Sequence, residues 1–283
     1  MKALITGCKG QLGLELLKQM TISKNNYQLI ETDIHNLDIT DQSKVFKLLD
    51  EQNPDIIINC AAYTNVDMCE TDELNAFRVN AIGAHNLSVG AYRAGARIVQ
   101  VSTDYVFDGA GDYPKKEYDA INPQSNYGRS KALGEKLVRE TNPQHFIVRT
   151  AWLYGNGNNF VRTMLRLAKE RKSIDVVGDQ IGTPTSTVDL SRCIINLIQT
   201  ENYGTYHATN EGYCSWYDFS KKIFELKGID ISVNKITTEQ LKRPVNRPHY
   251  SVLDNYMLKL LNMNTFRSWE ESLEEYLKEE KMA

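Results

Sequence analysis

The chain is poor in the features that announce special environments. Its five cysteines, Cys8, Cys60, Cys69, Cys193 and Cys214, are an odd number without CxxC spacing. That argues against a disulfide framework or a cysteine-rich metal site and fits small, partly buried thiols in a reducing compartment. No apolar run approaches the ~18 residues that a membrane span requires. The opening Met1-Lys2-Ala3-Leu4-Ile5-Thr6 runs straight into a glycine loop, so no signal peptide is expected and the predicted location is cytoplasmic. Charge of one sign is also lacking: the net charge is −3 with both signs interspersed, which gives no global signal for nucleic acid or an acidic membrane. Prolines number only 7 in 283 residues, and there are no repeats or low-complexity segments. A chain of this length and composition can bury a sizeable core as one large domain or as a core with a cap.

What is present is an alternation. Lys2–Thr6, Tyr27–Asp33, Asp55–Cys60, Arg97–Thr103 and His145–Thr150 read as strands. The nearly continuous apolar runs at 56–58 and 98–101 suit parallel strands covered on both faces. Helical patterns lie between them at Gln11–Met20, Asp41–Gln52, Glu73–Ala94 and Tyr127–Glu140. Asp41 and Ser125 are candidate N-caps, and Gly95 is a candidate stop. Right-handed βαβ units wound into a parallel sheet follow from this rhythm. After Thr150 it changes: a helix over 159–171, a strand at 173–177, a loop at 178–185, a helix at 216–227 capped by Ser215, a loop at 243–248 and a last helix over 268–278. Residues 1–150 are therefore expected to form the nucleotide-binding core. Residues 151–283 are expected to be mainly a substrate-binding cap, interleaved with the last core strands.

Gly7, Gly10 and Gly13 sit between the first strand and the first helix. In that place the first glycine permits a tight turn, the second lets backbone amides approach a pyrophosphate, and the third allows close helix–strand packing. The fold class expected is α/β: a Rossmann-like doubly wound parallel sheet with a smaller C-terminal α/β cap. Asp33 follows the second strand, where a carboxylate binds ribose hydroxyls and repels a 2′-phosphate. Lys9, within the loop, has the opposite preference, so both NADH and NADPH stay open. Asp38 and Ile39 are candidates to flank the adenine, with a solvated turn as the alternative.

Tyr127 and Lys131 stand at i and i+4 on one helix face. An ammonium beside a phenol favours the phenolate and brings it nearer to acid–base work at neutral pH. Thr103, at the end of the fourth strand, is placed to donate to a substrate carbonyl. With 15 tyrosines in the chain, on the order of one Tyr-xxx-Lys match arises by chance, and Tyr217 with Lys221 is a second. Chain order selects the first pair; the second reads as a core tyrosine with a solvated lysine.

The chain thereby resembles the extended short-chain dehydrogenase/reductase superfamily and, within it, the dTDP-4-dehydrorhamnose reductase family. The resemblance rests on the glycine loop, residues 61–67 (AAYTNVD), 102–109 (STDYVFDG), 127–131 (YGRSK), 149–155 (RTAWLYG) and 179–185 (DQIGTPT), in this order. It implies reduction of the C4 ketone of dTDP-4-dehydro-L-rhamnose by NADPH or NADH. Tyr127 would be the proton donor, Lys131 would tune it and anchor the nicotinamide ribose, and Thr103 would polarise the carbonyl. Gly7, Gly10, Gln11, Leu12, Gly13, Asp33, Asp38, Ile39, Ala61, Ala62, Tyr63 and Thr64 would line the dinucleotide site. Thr103, Asp104 and Trp152 would face the sugar nucleotide. Arg247 is a candidate partner of its diphosphate, a structural arginine being the alternative. Some members of the family bind Mg²⁺ between two subunits of a homodimer. Glu15 matches one ligand position, Asp189 stands where another would be glutamate, and the remaining ligand has no placed counterpart, so no metal set is assigned.

Two other readings compete. A dehydratase would carry Asp-Glu after the catalytic threonine, whereas Asp104-Tyr105 follows Thr103. A nucleotide-sugar epimerase and a non-catalytic dinucleotide-binding regulatory subunit stay as alternatives, the second disfavoured by the intact Thr103, Tyr127 and Lys131.

Overall fold

A computed structural model describes residues 1–241, 245 and 247–279. The first half builds β1 (Lys2–Thr6), α1 (Gln11–Ile22), β2 (Gln28–Glu31), α2 (Gln42–Gln52) and β3 (Ile56–Asn59), then α3 (Val66–Thr71) and α4 (Glu73–Phe77). A π-helical turn over Arg78–Gly83 joins α4 to α5 (Ala84–Arg93), and β4 (Arg97–Thr103), α6 (Asn126–Thr141) and β5 (His145–Thr150) follow. The second half contains β6 (Leu153–Tyr154), α7 (Phe160–Glu170), β7 (Ser173–Val177), β8 (Ile181–Gly182), β9 (Thr185–Ser186), α8 (Thr187–Leu197) and β10 (Gly204–His207). It ends with β11 (Cys214–Ser215), α9 (Trp216–Lys227), β12 (Ser232–Ile236), α10 (Thr238–Leu241), α11 (Tyr256–Leu260) and α12 (Trp269–Glu279).

The main sheet has the order β10-β5-β4-β3-β1-β2, parallel throughout. Chain order reverses between β1 and β3, which opens a crevice at the carboxyl ends of the strands. Every residue of β3 is buried, as its unbroken isoleucine run requires of a strand covered on both faces. One apolar layer packs α1 and α8 against the sheet through Leu16, Met20 and Ile194. On the opposite face α2 and α5 pack through Val45, Leu49 and Leu87. Across the strand ends, Thr6 donates to Asn59 Oδ1 (2.6 Å) and Asn59 Nδ2 donates to Gln100 Oε1 (2.7 Å). This buried polar chain holds β1, β3 and β4 in register where the site begins.

The caps follow the sequence chemistry. Asp41 accepts from the amide of Lys44 at 3.1 Å and Ser125 from that of Gly128 at 3.1 Å. Ser215 and Asp218 form a capping box on α9. The helix expected over 73–94 is instead three pieces, because the backbone widens at 78–83. There Asn80 accepts from the Tyr63 amide (2.8 Å) and donates to the Tyr63 carbonyl (3.0 Å) and to Ser130 Oγ (3.0 Å). Such π-turns recur at functional sites; this one ties the segment after β3 to α6.

The second half of the chain has its own apolar cluster, in which Phe219, Ile223, Trp269 and Leu273 gather around Tyr154, and a parallel pair, β7 with β12. Among the described residues no helix is long and apolar enough to cross a membrane.

Candidate active site

The crevice contains two adjoining chambers, of about 430 and 490 Å³, which share Gly7, Gly10, Cys60 and Ala62 as lining residues. The first is walled by the glycine loop, by Asp33, Asp38 and Ile39 beyond β2, and by Ala61, Ala62 and Tyr63 beyond β3. The second is walled by Gln11, Leu12 and Gly13 at the start of α1, by Thr64, and by the ends of β4 and β5. Thr103, Asp104, Tyr127, Lys131 and Trp152 all face this second chamber.

The loop is built for close approach. Gly7 adopts a φ of +62°, and a Cβ on Gly13 would stand 2.3 Å from the Gly7 carbonyl oxygen. Only a residue without a Cβ lets α1 lie so near the strand end. At the N-cap of α1, Gly10 offers no side chain to the first amides of the helix, which leaves them for an anion. Asp33 is already engaged: its Oδ2 accepts from the Lys9 amide (3.3 Å) and its Oδ1 from the Ile34 amide (2.9 Å). Asp33 lines the first chamber, and the exposed Lys9 meets its carboxylate through the backbone amide.

The second chamber is equally specific. A Cβ on Gly128 would come within 2.2 Å of the Tyr105 carbonyl oxygen, so this glycine lets α6 press against the turn that follows β4. That contact brings Tyr127 beside Tyr105, with ring centroids 5.4 Å apart, and within hydrogen-bonding reach of Thr103. The Thr103 hydroxyl donates to Asp104 Oδ1 at 2.8 Å and accepts from the Tyr105 amide at 3.2 Å. Asp104 is 3 % exposed, and its Oδ2 makes no hydrogen bond among the described residues. Burial pushes its carboxyl up to about 6, against the favourable Thr103 hydrogen bond. The Lys131 ammonium donates to the Val101 carbonyl at 2.6 Å.

The two acid–base groups do not tune one another as their spacing suggests. Burial dominates each: it raises the Tyr127 phenol well above its ordinary range and lowers the Lys131 amine to about 8. The lysine is turned to the carbonyl of β4, and the phenol answers to Thr103 and Asp104 instead.

These walls meet a protein family already known. A family model described as the RmlD substrate binding domain matches residues 1–282. The chain belongs to the RmlD substrate-binding family. Spore coat polysaccharide biosynthesis protein SpsK of Bacillus subtilis (strain 168) is 42 % identical over 283 residues, covering 100 % of this chain and 99 % of that one. A crystal structure of a dTDP-4-dehydrorhamnose reductase from Clostridium acetobutylicum ATCC 824 superposes with a TM-score of 0.98 at 52 % identity, covering all of both chains. That of the dTDP-4-dehydrorhamnose reductase of Bacillus anthracis str. Ames in complex with NADP gives 0.96 at 44 % identity, over 98 % of this chain and 99 % of that one. The Rossmann-like fold shared with these RmlD-family members agrees with the α/β class read from the sequence.

Set against this family frame, Arg247 stands apart from the other candidates. It lies beside Asp67 at 3.8 Å and borders two neighbouring cavities, not the chamber with Tyr127. Of its loop, 242–244 and 246 lie outside the described residues. Trp152, with a φ of +47°, is no isolated platform: its indole stacks on Trp216 at 3.5 Å between centroids and 7° between planes. Trp216, Thr150, Ser102 and Cys60 also line the second chamber and were not singled out from the sequence. Three of these sit at or beside strand ends, where the crevice rule would have found them; Trp216 carried no local signal. The second Tyr-xxx-Lys pair lies on α9, with the Lys221 ammonium 5.6 Å above the Tyr217 ring and Tyr217 against the cap core.

The positions compared with a family metal site are committed elsewhere. Asp189 accepts from Arg267 Nε (3.2 Å), Asn210 Nδ2 (2.8 Å) and Ser272 Oγ (2.5 Å), while Glu15 accepts from Gln19 (2.8 Å). Arg267 supplies the positive charge that faces Asp189, so this donor set does not fit a cation. Among the described residues no group of three or more His, Cys, Asp or Glu is arranged to hold a metal ion.

Proposed function

We propose that this chain reduces the C4 ketone of dTDP-4-dehydro-L-rhamnose to dTDP-L-rhamnose, as an NAD(P)H-dependent oxidoreductase of nucleotide-sugar biosynthesis. The observation that carries the reading is the adjacency of the two chambers: a glycine-loop chamber shares a wall with one where Thr103, Tyr127 and Lys131 converge. The names of its relatives, dTDP-4-dehydrorhamnose reductases among them, support the choice of sugar. In this reading residues 1–150 hold the dinucleotide and 151–283 mainly the sugar nucleotide, in a cytoplasmic enzyme.

The residues fit a dinucleotide: the Cβ-free contacts at Gly7 and Gly13, the uncapped start of α1 and Asp33 on the chamber wall suit a pyrophosphate and an adenosine ribose. When bound, the nicotinamide supplies the hydride. Tyr127 gives its phenolic proton to the C4 oxygen; burial keeps that proton in place at neutral pH, so the group is poised as the acid. Lys131, still largely cationic near neutrality with a pKa of about 8, holds the nicotinamide ribose and offers positive charge to the developing alkoxide. Thr103 has one proton, which it gives to Asp104. To polarise the ketone it must turn that proton away from Asp104, which then presents its carboxyl to a sugar hydroxyl. The Trp152 indole, braced by Trp216, offers a flat apolar wall to the ring.

The test is spectrophotometric. Oxidation of NADPH and NADH is followed with dTDP-4-dehydro-L-rhamnose made in situ from its precursor. Oxidation that requires both this protein and the keto-sugar, with dTDP-L-rhamnose as product, is expected. A folded, dinucleotide-binding protein that oxidises neither cofactor with this sugar would overturn the assignment.

A further inference from the structure

Three hydroxyl side chains sit where β4 and β5 end, and only one of them is engaged. Thr103 donates to Asp104 and accepts from the Tyr105 amide. Ser102 and Thr150 are 3 % and 7 % exposed and both line the second chamber. Neither hydroxyl oxygen makes a hydrogen bond among the described residues. Buried polar groups are paired as a rule, because one without a partner bears its desolvation cost uncompensated.

Register separates the two. Ser102 is the partner of Arg149 across the strands, and Arg149 pairs with Glu135 of α6 at 2.7 Å. Register partners share a face, so Ser102 lies on the side that α6 covers. Thr150 is the partner of Thr103, on the opposite face with Val148, which belongs to the apolar layer beneath α1 and α8. Because α1 starts at the glycine loop, this is the face along which a dinucleotide descends from its pyrophosphate.

The strand order β2, β1, β3, β4, β5 sets out the stations of such a ligand. Asp33 stands beyond β2, the glycine loop beyond β1, and Thr103 at the end of β4 within reach of Tyr127. Thr150 lies one strand further, about 4.8 Å along. A nicotinamide whose C4 faces a ketone at Tyr127 carries its carboxamide on the neighbouring ring carbon, within that one strand spacing. We propose that Thr150 holds this carboxamide: its hydroxyl, unpaired in the protein alone, hydrogen-bonds the amide and fixes the ring against the ketone. The proposal rests on the reductase reading and adds a contact to the same site. An amide carries both a donor and an acceptor, and a hydroxyl can serve either. A sugar hydroxyl has the same hydrogen-bonding chemistry, so the two sources are told apart by measurement.

Thr150→Val keeps the branched shape and removes the hydroxyl. The empty protein then gives up no hydrogen bond, while the bound dinucleotide loses one. Isothermal titration calorimetry compares parent and variant for NADPH and for 2′-phospho-ADP-ribose, which lacks only the nicotinamide. A third titration adds dTDP-L-rhamnose to protein saturated with 2′-phospho-ADP-ribose. The variant is expected to bind NADPH about fivefold more weakly, the worth of one neutral hydrogen bond. Its affinities for the other two ligands should change less than about twofold, and without ligand it should melt no lower than the parent. Thr150→Ser, which restores a hydroxyl, should return NADPH affinity to within about twofold of the parent's. Should Thr150→Val fail to fold, Thr150→Ala carries the same binding expectation. Equal losses for NADPH and 2′-phospho-ADP-ribose, no loss for either, or a loss confined to the sugar nucleotide each overturn the proposal. A folded parent that binds no NADPH overturns the reductase reading instead, so the two failures are distinct.

Discussion

Asp104→Asn is expected to remove a pH dependence from the protein's stability while impairing the site. The carboxyl is buried, one oxygen accepts from Thr103, the other makes no hydrogen bond among the described residues, and Thr103 and Ser251 both favour its charged form. Its pKa stands at about 6, against about 4 for an unfolded aspartate. The sign follows directly. A carboxyl raised on folding takes up a proton in the native state between about pH 4 and 6. The native state therefore gains stability as pH falls through that window and bears the full cost of the buried charge above it. Two units correspond to about 3 kcal/mol. Asparagine imitates the neutral acid and removes the pH dependence, although an amide N–H without a buried acceptor costs about 1–3 kcal/mol at every pH. That constant shifts the comparison without tilting it, so the informative quantity is the slope. Urea denaturation of both proteins at pH 4.5, 6.0 and 7.5 should show the variant gaining about 2 kcal/mol on the parent from the lowest to the highest pH, the rest of the effect lying below pH 4.5. All other carboxylates cancel in the difference. A stability difference that stays flat across these three pH values would refute the reasoning.

Three more outcomes follow from the site. Tyr127→Phe should abolish ketone reduction, with NADPH affinity changed less than about threefold, as measured by turnover and by fluorescence titration, because only the proton is lost. Gly13→Ala places a methyl 2.3 Å from the Gly7 carbonyl; NADPH affinity should fall at least tenfold by the same titration, about 1.4 kcal/mol. Asp33→Ala removes a carboxylate from the wall of the first chamber, so the ratio of kcat/KM for NADPH over NADH should rise severalfold in steady-state assays.

Much of the fold could be read because its signals were local. The isoleucine run of β3, the caps at Asp41, Ser125 and Ser215, and the glycine loop each depend on a few neighbouring residues, and each element lies where those residues put it. What escaped depended on distant partners. β10 is four residues, Gly204–His207, and becomes a strand only because β5 lies beside it in register. α8 was not delimited beforehand, although Ser186 caps it and its apolar face closes against α1. The break at 78–83 is set by what Asn80 holds, Tyr63 and Ser130, far away in sequence. At the site, the spacing of Tyr127 and Lys131 was plain, but their protonation was not. Periodicity carries no measure of burial, and burial outweighs the mutual effect of the pair. Arg247 illustrates the converse: its charge suggested a diphosphate, while its position beside Asp67 is a matter of tertiary contact.

The central claim is hydride delivery to C4 with protonation of its oxygen, and isotope transfer tests it most directly. NADPH carrying deuterium at both positions of nicotinamide C4 is incubated with the protein and dTDP-4-dehydro-L-rhamnose, and the product is examined by mass spectrometry and proton NMR. The account predicts dTDP-L-rhamnose heavier by one deuterium, located at C4 of the sugar. Label at another carbon, a C4 epimer as the main product, or a product without deuterium would contradict it.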